Sequence, residues 1–96
     1  NEQNHKFSKR KWEHNPQKRY QYSEDLVKKR LLINKSEREV IDLLGEPTNK
    51  YDSLNYWRYQ TGIESVWINE ALYFLYINWH NEKVISAKVD TIIIKF

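Results

Sequence analysis

The sequence predicts an α+β domain, in which two short N-terminal helices pack on one face of a three-stranded antiparallel β-meander, with a fourth strand as the alternative. Three observations indicate this class. Residues 23–47 carry apolar side chains at helical spacing, the pattern becomes extended after Pro47, and Ala71–Trp79 holds a single polar residue, Asn78. The 96 residues suit one domain, expected at 19–96 after a basic arm at 1–18.

The clearest element is a short helix between Ser36 and Pro47. Ser36 can cap its N-terminus, and Glu39 can reach back to the N–H of the cap, which makes a capping box. Gly45 can adopt the left-handed conformation that ends a helix, and Pro47 prevents a restart. An earlier helix is predicted to begin near Ser23, with Ser23 as its N-cap. Its apolar face is expected to contain Leu26, Val27, Leu31 and Ile33, with Leu32 beside them.

The chain after Pro47 alternates between strands and connections. Strands are predicted at Asn49–Gln60, Ala71–Trp79 and Val84–Phe96, which are rich in β-branched and aromatic residues. Thr61–Glu70 is predicted as a long connection, and His80–Lys83 as a turn. Consecutive strands joined in this way form an antiparallel meander.

The middle strand predicts that both faces of the sheet are covered. A strand that is buried on one face only should alternate cleanly between apolar and polar residues, and Ala71–Trp79 does not. One side consists of Tyr73, Leu75, Ile77 and Trp79, and the other of Leu72, Phe74, Tyr76 and Asn78. The helices can cover one side. The N-terminal arm, the connection that carries Trp67, or a partner is expected to cover the other.

The N-terminal arm is basic. Residues 1–38 hold 11 Lys/Arg and 5 Asp/Glu, whereas residues 39–96 hold 5 and 8. Phe7 and Trp12 are isolated large apolar groups, so we expect both rings to fold back onto the domain, with one helical turn at Ser8–Glu13. Basic and aromatic side chains interleave in the arm, a pattern that also occurs in nucleic-acid-binding segments. The acidic body of the domain would repel a phosphate backbone.

No catalytic, cofactor-binding or metal-binding site is predicted. The chain has no cysteine, and its histidines (His5, His14 and His80) lack the spacing of a metal site. Its glycines, Gly45 and Gly62, do not form a phosphate-binding loop, and no serine lies in a glycine-rich nucleophile elbow. The sequence therefore predicts a protein that is not an enzyme and has no small-molecule substrate.

The segment Lys35–Pro47 (KSEREVIDLLGEP), followed by Tyr56–Tyr59 (YWRY) and an apolar strand that ends in Ile77–Trp79 (INW), resembles the SmpA/OmlA family of small bacterial envelope lipoproteins. The resemblance covers about residues 19–92. That family's fold is similar to one half of the β-lactamase-inhibitor protein, two helices followed by an antiparallel sheet. Upstream residues, including Phe7 and Trp12, are similar to related bacterial lipoproteins of the same layout.

The resemblance implies an exported, non-enzymatic domain of the bacterial cell envelope, either periplasmic or anchored to the outer membrane. A protein is the expected partner, and a membrane is expected to be contacted only through a lipid anchor outside these residues. The family favours Gly or Asp in the turn where this chain has His80–Lys83.

The expected binding surface is the sheet face turned away from the helices, together with the connection that carries Trp67. Aromatic residues rimmed by Arg and Lys are typical of protein-binding patches. The candidate residues are Tyr56, Arg58, Trp67, Phe74, Tyr76 and Lys88. Two alternatives remain open: binding of nucleic acid or an anionic surface by the basic arm, and a secreted inhibitor or immunity-type protein. Self-association is a further possibility, because the apolar run at 92–94 would recruit other chains if its strand lies at an edge.

Overall fold

A computed structural model of the chain describes residues 5–95 and has an α+β fold with a four-stranded antiparallel sheet in the order β1-β2-β3-β4. The helices are α1 (Lys9–His14), α2 (Tyr20–Lys28) and α3 (Glu37–Leu44), and a 3-10 turn spans Asp52–Leu54. The strands are β1 (Asn49–Tyr51), β2 (Tyr56–Val66), β3 (Asn69–His80) and β4 (Lys83–Lys95). None of the helices in this part of the chain is long and apolar enough to cross a membrane.

The α+β class is confirmed, and the described chain has three helices rather than two. The additional helix, α1, lies where a single helical turn was expected. Ser8 caps it, because its Oγ accepts a hydrogen bond from the Lys11 N–H at 3.4 Å.

Helix α2 begins at Tyr20, so the predicted start near Ser23 and the capping role of Ser23 were wrong. Ser23 lies inside the helix and is buried, and its hydroxyl donates to Arg19 O at 3.1 Å. A serine that bonds to the preceding turn is compatible with a helix interior, and this contact cannot be read from a capping pattern. The helix also ends at Lys28, so the expected apolar face is divided: Leu32 is buried beyond the helix, whereas Leu31 is exposed.

Both predicted ends of helix α3 are confirmed. Glu39 N–H donates to Ser36 Oγ at 3.2 Å and Ser36 N–H donates to Glu39 Oε1 at 2.8 Å, which completes the capping box. Gly45 follows with φ of 84°. Two buried aromatic residues bond to the carbonyls at this end: Trp12 Nε1–H donates to Leu44 O at 2.9 Å, and Tyr59 O–H donates to Gly45 O at 2.7 Å. The C-terminus of α3 is thereby tied to both α1 and the sheet.

The segment Thr61–Glu70 is not a long connection, and this prediction was wrong. Strand β2 continues to Val66, and a tight turn leads into β3 at Asn69. A shift in register between Gln60 and Gly62 lets the strand continue past its glycine. The β-hairpin formed by β2 and β3 therefore extends well beyond the helices.

The predicted strand at 49–60 is interrupted by the 3-10 turn, which leaves β1 as a three-residue edge strand and produces the fourth strand. The predicted turn at 80–83 is confirmed. Asn81 and Glu82 have φ of 50° and 65°, as in the type I′ turns that join two antiparallel strands.

The basic segment from residue 5 to residue 18 packs with the domain instead of forming a separate arm. Trp12 is 0% exposed and belongs to the same core as Trp57, Tyr59 and Leu75. Phe7 packs against this core, as expected, with its ring 5.8 Å from that of Trp12. The boundary predicted at residue 18 thus does not separate two packing units among residues 5–95.

At low pH, protonation of Asp25 is expected to weaken the packing of this N-terminal segment. The hydrogen bond from the Phe7 N–H to Asp25 Oδ2, 2.7 Å long, together with Lys29, holds the pKa of Asp25 below its ordinary value. Because the pKa is lower in the folded chain, Asp25 adds stability above its unfolded pKa of about 3.9, and this stability is lost as the pH falls through the folded pKa. Urea unfolding at a series of pH values measures this effect. As the pH falls, the free energy of unfolding should decrease less for Asp25→Asn than for the natural chain. An unchanged profile would contradict the contact.

Candidate protein-binding face

Side chains of the sheet alternate between two faces, and the strand register determines which residues share a face. One face packs on the helices through the core residues Trp57, Tyr59, Leu75 and Ile77. The residues between them point to the opposite side, which we call the open face. Register pairs Arg58 with Tyr76, and Tyr76 with Lys88, so these three residues from β2, β3 and β4 are neighbours.

Five of the six predicted site residues lie together on the open face: Tyr56, Arg58, Phe74, Tyr76 and Lys88. The Tyr76 ring is central, with its centroid 6.0 Å from that of Tyr56 and 6.2 Å from that of Phe74. Lys88 Nζ lies 5.8 Å from the centroid of the same ring. The structure thus forms a continuous aromatic surface with a cation at its rim.

Arg58 is held in a defined position on this surface. Its Nε and Nη2 donate to Asn49 Oδ1 at 3.0 and 2.7 Å. Its guanidinium carbon lies 5.0 Å from the Phe74 centroid and 5.9 Å from the Tyr51 centroid. Arg58 therefore covers Phe74, which is only 7% exposed. An arginine held in this way loses less side-chain entropy when it binds a partner.

Tyr51 and Asn49 belong to the open face, and the sequence reasoning missed both. Tyr51 stacks on Tyr56 with centroids 4.7 Å apart, and Asn49 holds Arg58. Both lie on β1, whose register opposite Tyr56 and Arg58 is fixed only by the sheet. The alternation of Asn49, Lys50 and Tyr51 was the available signal, because it places Asn49 and Tyr51 on one side of a strand.

Trp67 stands apart from the other five predicted residues. It lies in the turn between β2 and β3 and is 98% exposed, with φ of 58°, a strained value for a bulky side chain. Phe74 lies seven positions further along the chain, which corresponds to about 20 Å of extended strand. Its neighbour Ile68 is also exposed.

No segment between residues 5 and 95 covers the open face. The N-terminal segment packs on the helix side, where Trp12 lies 6.4 Å from Tyr59, ring centroid to centroid. The turn that carries Trp67 extends away at the far end of the hairpin. Of the covers expected from the sequence, the arm and the connection were therefore wrong for the described residues.

A small cavity of about 120 Å³ lies between α2 and the sheet. The rings of Tyr20 and Tyr73 are stacked in its lining, with centroids 4.0 Å apart. Burial, together with a 2.8 Å hydrogen bond from the Tyr73 hydroxyl to Glu64 Oε1, raises the pKa of Tyr73 to about 12. The cavity is smaller than the roughly 300–1,000 Å³ of typical ligand sites. Among the described residues, no three His, Cys, Asp or Glu side chains are grouped so that they could hold a metal ion.

Comparisons of the chain with protein-family models, with curated proteins and with solved structures find no match.

Proposed function

We propose that this protein is a non-enzymatic domain of the bacterial cell envelope that binds a protein partner through the open face of its sheet. The observation that carries the proposal is the aromatic surface of Tyr56 and Tyr76, which no described segment covers, with Arg58 lying over Phe74 beside it and Lys88 at its border. Exposed aromatic groups beside arginine are enriched where protein interfaces gain most of their energy.

The chemistry of the open face indicates what kind of partner would fit. Tyrosine rings supply broad apolar contact and keep a hydroxyl for hydrogen bonding. Arg58 is stacked between rings and has further N–H donors that can bind a carboxylate in a bidentate manner. We therefore infer a partner surface that is apolar at its centre and carries Asp or Glu opposite Arg58 and Lys88.

The exposure of Trp67 supports a binding interface that extends beyond the open face. A fully exposed tryptophan in a strained conformation contributes little to folding, and strained residues of this kind tend to cluster at functional sites. An interface of standard size buries about 800 Å² on each partner. Such an interface is wide enough for one partner to contact both the ring of Tyr76 and the side chain of Trp67.

The envelope location is supported by the resemblance to the SmpA/OmlA lipoproteins. The residues that carry it include the capped helix ending in Leu44–Pro47 and the strand segment Trp57–Tyr59. Their roles here are structural, because Gly45 ends α3 and Trp57 and Tyr59 lie in the core. Fractionation of cells that express the complete gene tests the location: recovery of the protein in the cytoplasm would overturn this part of the proposal.

Negative charge introduced on the open face should abolish partner binding. We expect Arg58→Glu and Tyr76→Asp each to remove the partner that copurifies with a tagged chain from an envelope extract, at unchanged circular dichroism. Each change places an anion where an apolar and acidic surface is expected to dock. Asp42→Arg, at an exposed position of α3, is the matched control and should retain the partner.

Two results would overturn the open face as the binding surface: retention of the partner by both face variants, or its loss with Asp42→Arg alone. Binding of nucleic acid that weakens steeply as salt rises would favour the basic segment instead.

A further inference from the structure

The outer edge of β4 carries backbone groups that no described segment pairs. β4 ends the sheet order, and β3 pairs with it from Lys83 to Lys95 on one side. On the other side, the linker between α2 and α3 bonds only to Val84: Asn34 N–H donates to Val84 O at 2.9 Å, and Val84 N–H donates to Lys35 O at 3.0 Å. Within residues 5–95, no other backbone segment bonds to this edge beyond Val84.

The antiparallel ladder determines which groups of β4 point outward. Every second residue exchanges hydrogen bonds with the neighbouring strand, and the residues between direct their N–H and C=O groups to the other side. Val84 points outward, and Ile85 is the extra residue of a bulge. The outward set then continues as Ala87, Val89, Thr91, Ile93 and Lys95. Thr91 fits this set, because its N–H donates to Asp90 Oδ1 at 2.9 Å.

We propose that β4 pairs antiparallel with β4 of a second copy of this chain, around a two-fold axis at Val89, so that the two sheets become continuous. The charges of the strand select this register. An axis at Val89 places Lys88 opposite Asp90 of the second copy, and it does so twice. Axes at Lys88 or Asp90 place like charges opposite each other, and an axis at Thr91 places both charges opposite isoleucines.

The side chains of β4 suit this pairing. Lys88 and Asp90 meet at a position without backbone hydrogen bonds between them, where opposing side chains are closest and opposite charges stabilise the sheet. Val89 is 38% exposed and would lie against its own symmetry mate. Ile85 and Ile93, towards the two ends of this edge, are 54% and 52% exposed. The pairing also provides N–H and C=O partners for Ala87 and Val89, and the Thr91 N–H would exchange its bond to Asp90 Oδ1 for one to the Ala87 carbonyl of the second copy.

Sedimentation velocity of the isolated chain over a range of concentrations tests this pairing without any partner protein. We expect a monomer–dimer equilibrium. Lys88→Asp and Asp90→Lys should each weaken the dimer about tenfold or more, because each places like charges opposite each other twice. The double variant Lys88→Asp/Asp90→Lys should restore it. An equimolar mixture of the two single variants should form a heterodimer, since every cross-pair is then of opposite charge.

A chain that stays monomeric at all concentrations would overturn the proposal, as would single variants that dimerise as tightly as the natural chain. A dimer that the double variant fails to restore would overturn the register at Val89. These outcomes are independent of the copurification experiment, because the isolated chain contains no partner for the open face. The open-face variant Arg58→Glu, which lies on β2 and does not adjoin β4, should dimerise normally.

Discussion

Trp12→Ala is expected to lower the free energy of unfolding by about 3–5 kcal/mol, which is typical for removal of a fully buried large aromatic side chain. Trp12 is 0% exposed, its indole N–H donates to Leu44 O at 2.9 Å, and Arg19 lies over its ring at 5.2 Å. The change therefore creates a cavity and leaves a carbonyl at the end of α3 without its donor.

Urea unfolding followed by circular dichroism measures this loss. Trp67→Ala is the matched control, because the same substitution at a 98% exposed position should change the unfolding free energy by no more than about 0.5 kcal/mol. Equal losses for the two variants would show that the N-terminal segment does not pack as described.

Gly62→Ala should destabilise the fold by about 1–3 kcal/mol or more, because nothing larger than hydrogen fits at this position. An added Cβ would collide with the backbone oxygen of Gln17 and lie 2.5 Å from Cδ2 of Tyr20. Lys18 forms a β-bridge with Gly62 at the same point, so the segment before α2 cannot move aside without losing this pairing.

Gly45→Ala separates this steric effect from conformational strain. Gly45 has φ of 84° and no atom within 4 Å of an added Cβ, so only the strained backbone should cost stability there, about 1 kcal/mol. Thermal unfolding of both variants makes the comparison. A smaller loss for Gly62→Ala than for Gly45→Ala would contradict the close packing of β2 on the segment before α2.

Local signals account for the parts of the fold that the sequence predicted well. Helix α3 has both of its ends encoded within a few residues, by Ser36 and Glu39 at one end and Gly45 at the other. The apolar segment of β3 is similarly self-contained. Both elements could be identified because neighbouring residues alone determine them.

Long-range contacts account for the parts that were missed. The continuation of β2 past Gly62 depends on its close packing against Gln17 and Tyr20, far earlier in the chain. The helical position of Ser23 likewise depends on contacts that no capping pattern reveals. A glycine in an extended segment suggested a connection, whereas here it lets two parts of the chain approach closely.

In the candidate site as well, local signals identify some residues and long-range pairing determines the others. Phe74, Tyr76 and their neighbours could be assigned to one face because alternation along a strand is a local property. Asn49 and Tyr51 were missed because β1 has three residues and obtains its register from β2. Trp67 was grouped with the other rings, although the length of the hairpin separates them.

Cross-linking from the open face inside living cells tests the central claim most directly. A photoreactive phenylalanine analogue placed at Tyr76 should form one predominant covalent adduct with another protein, and the same analogue at Asp42 on α3 should form none. When Arg58→Glu is added to the chain that carries the analogue at position 76, the adduct should disappear, because the change reverses the charge beside the reactive ring. Adducts from Asp42 but not from Tyr76, or no adduct from either position, would contradict an open face that binds a protein partner.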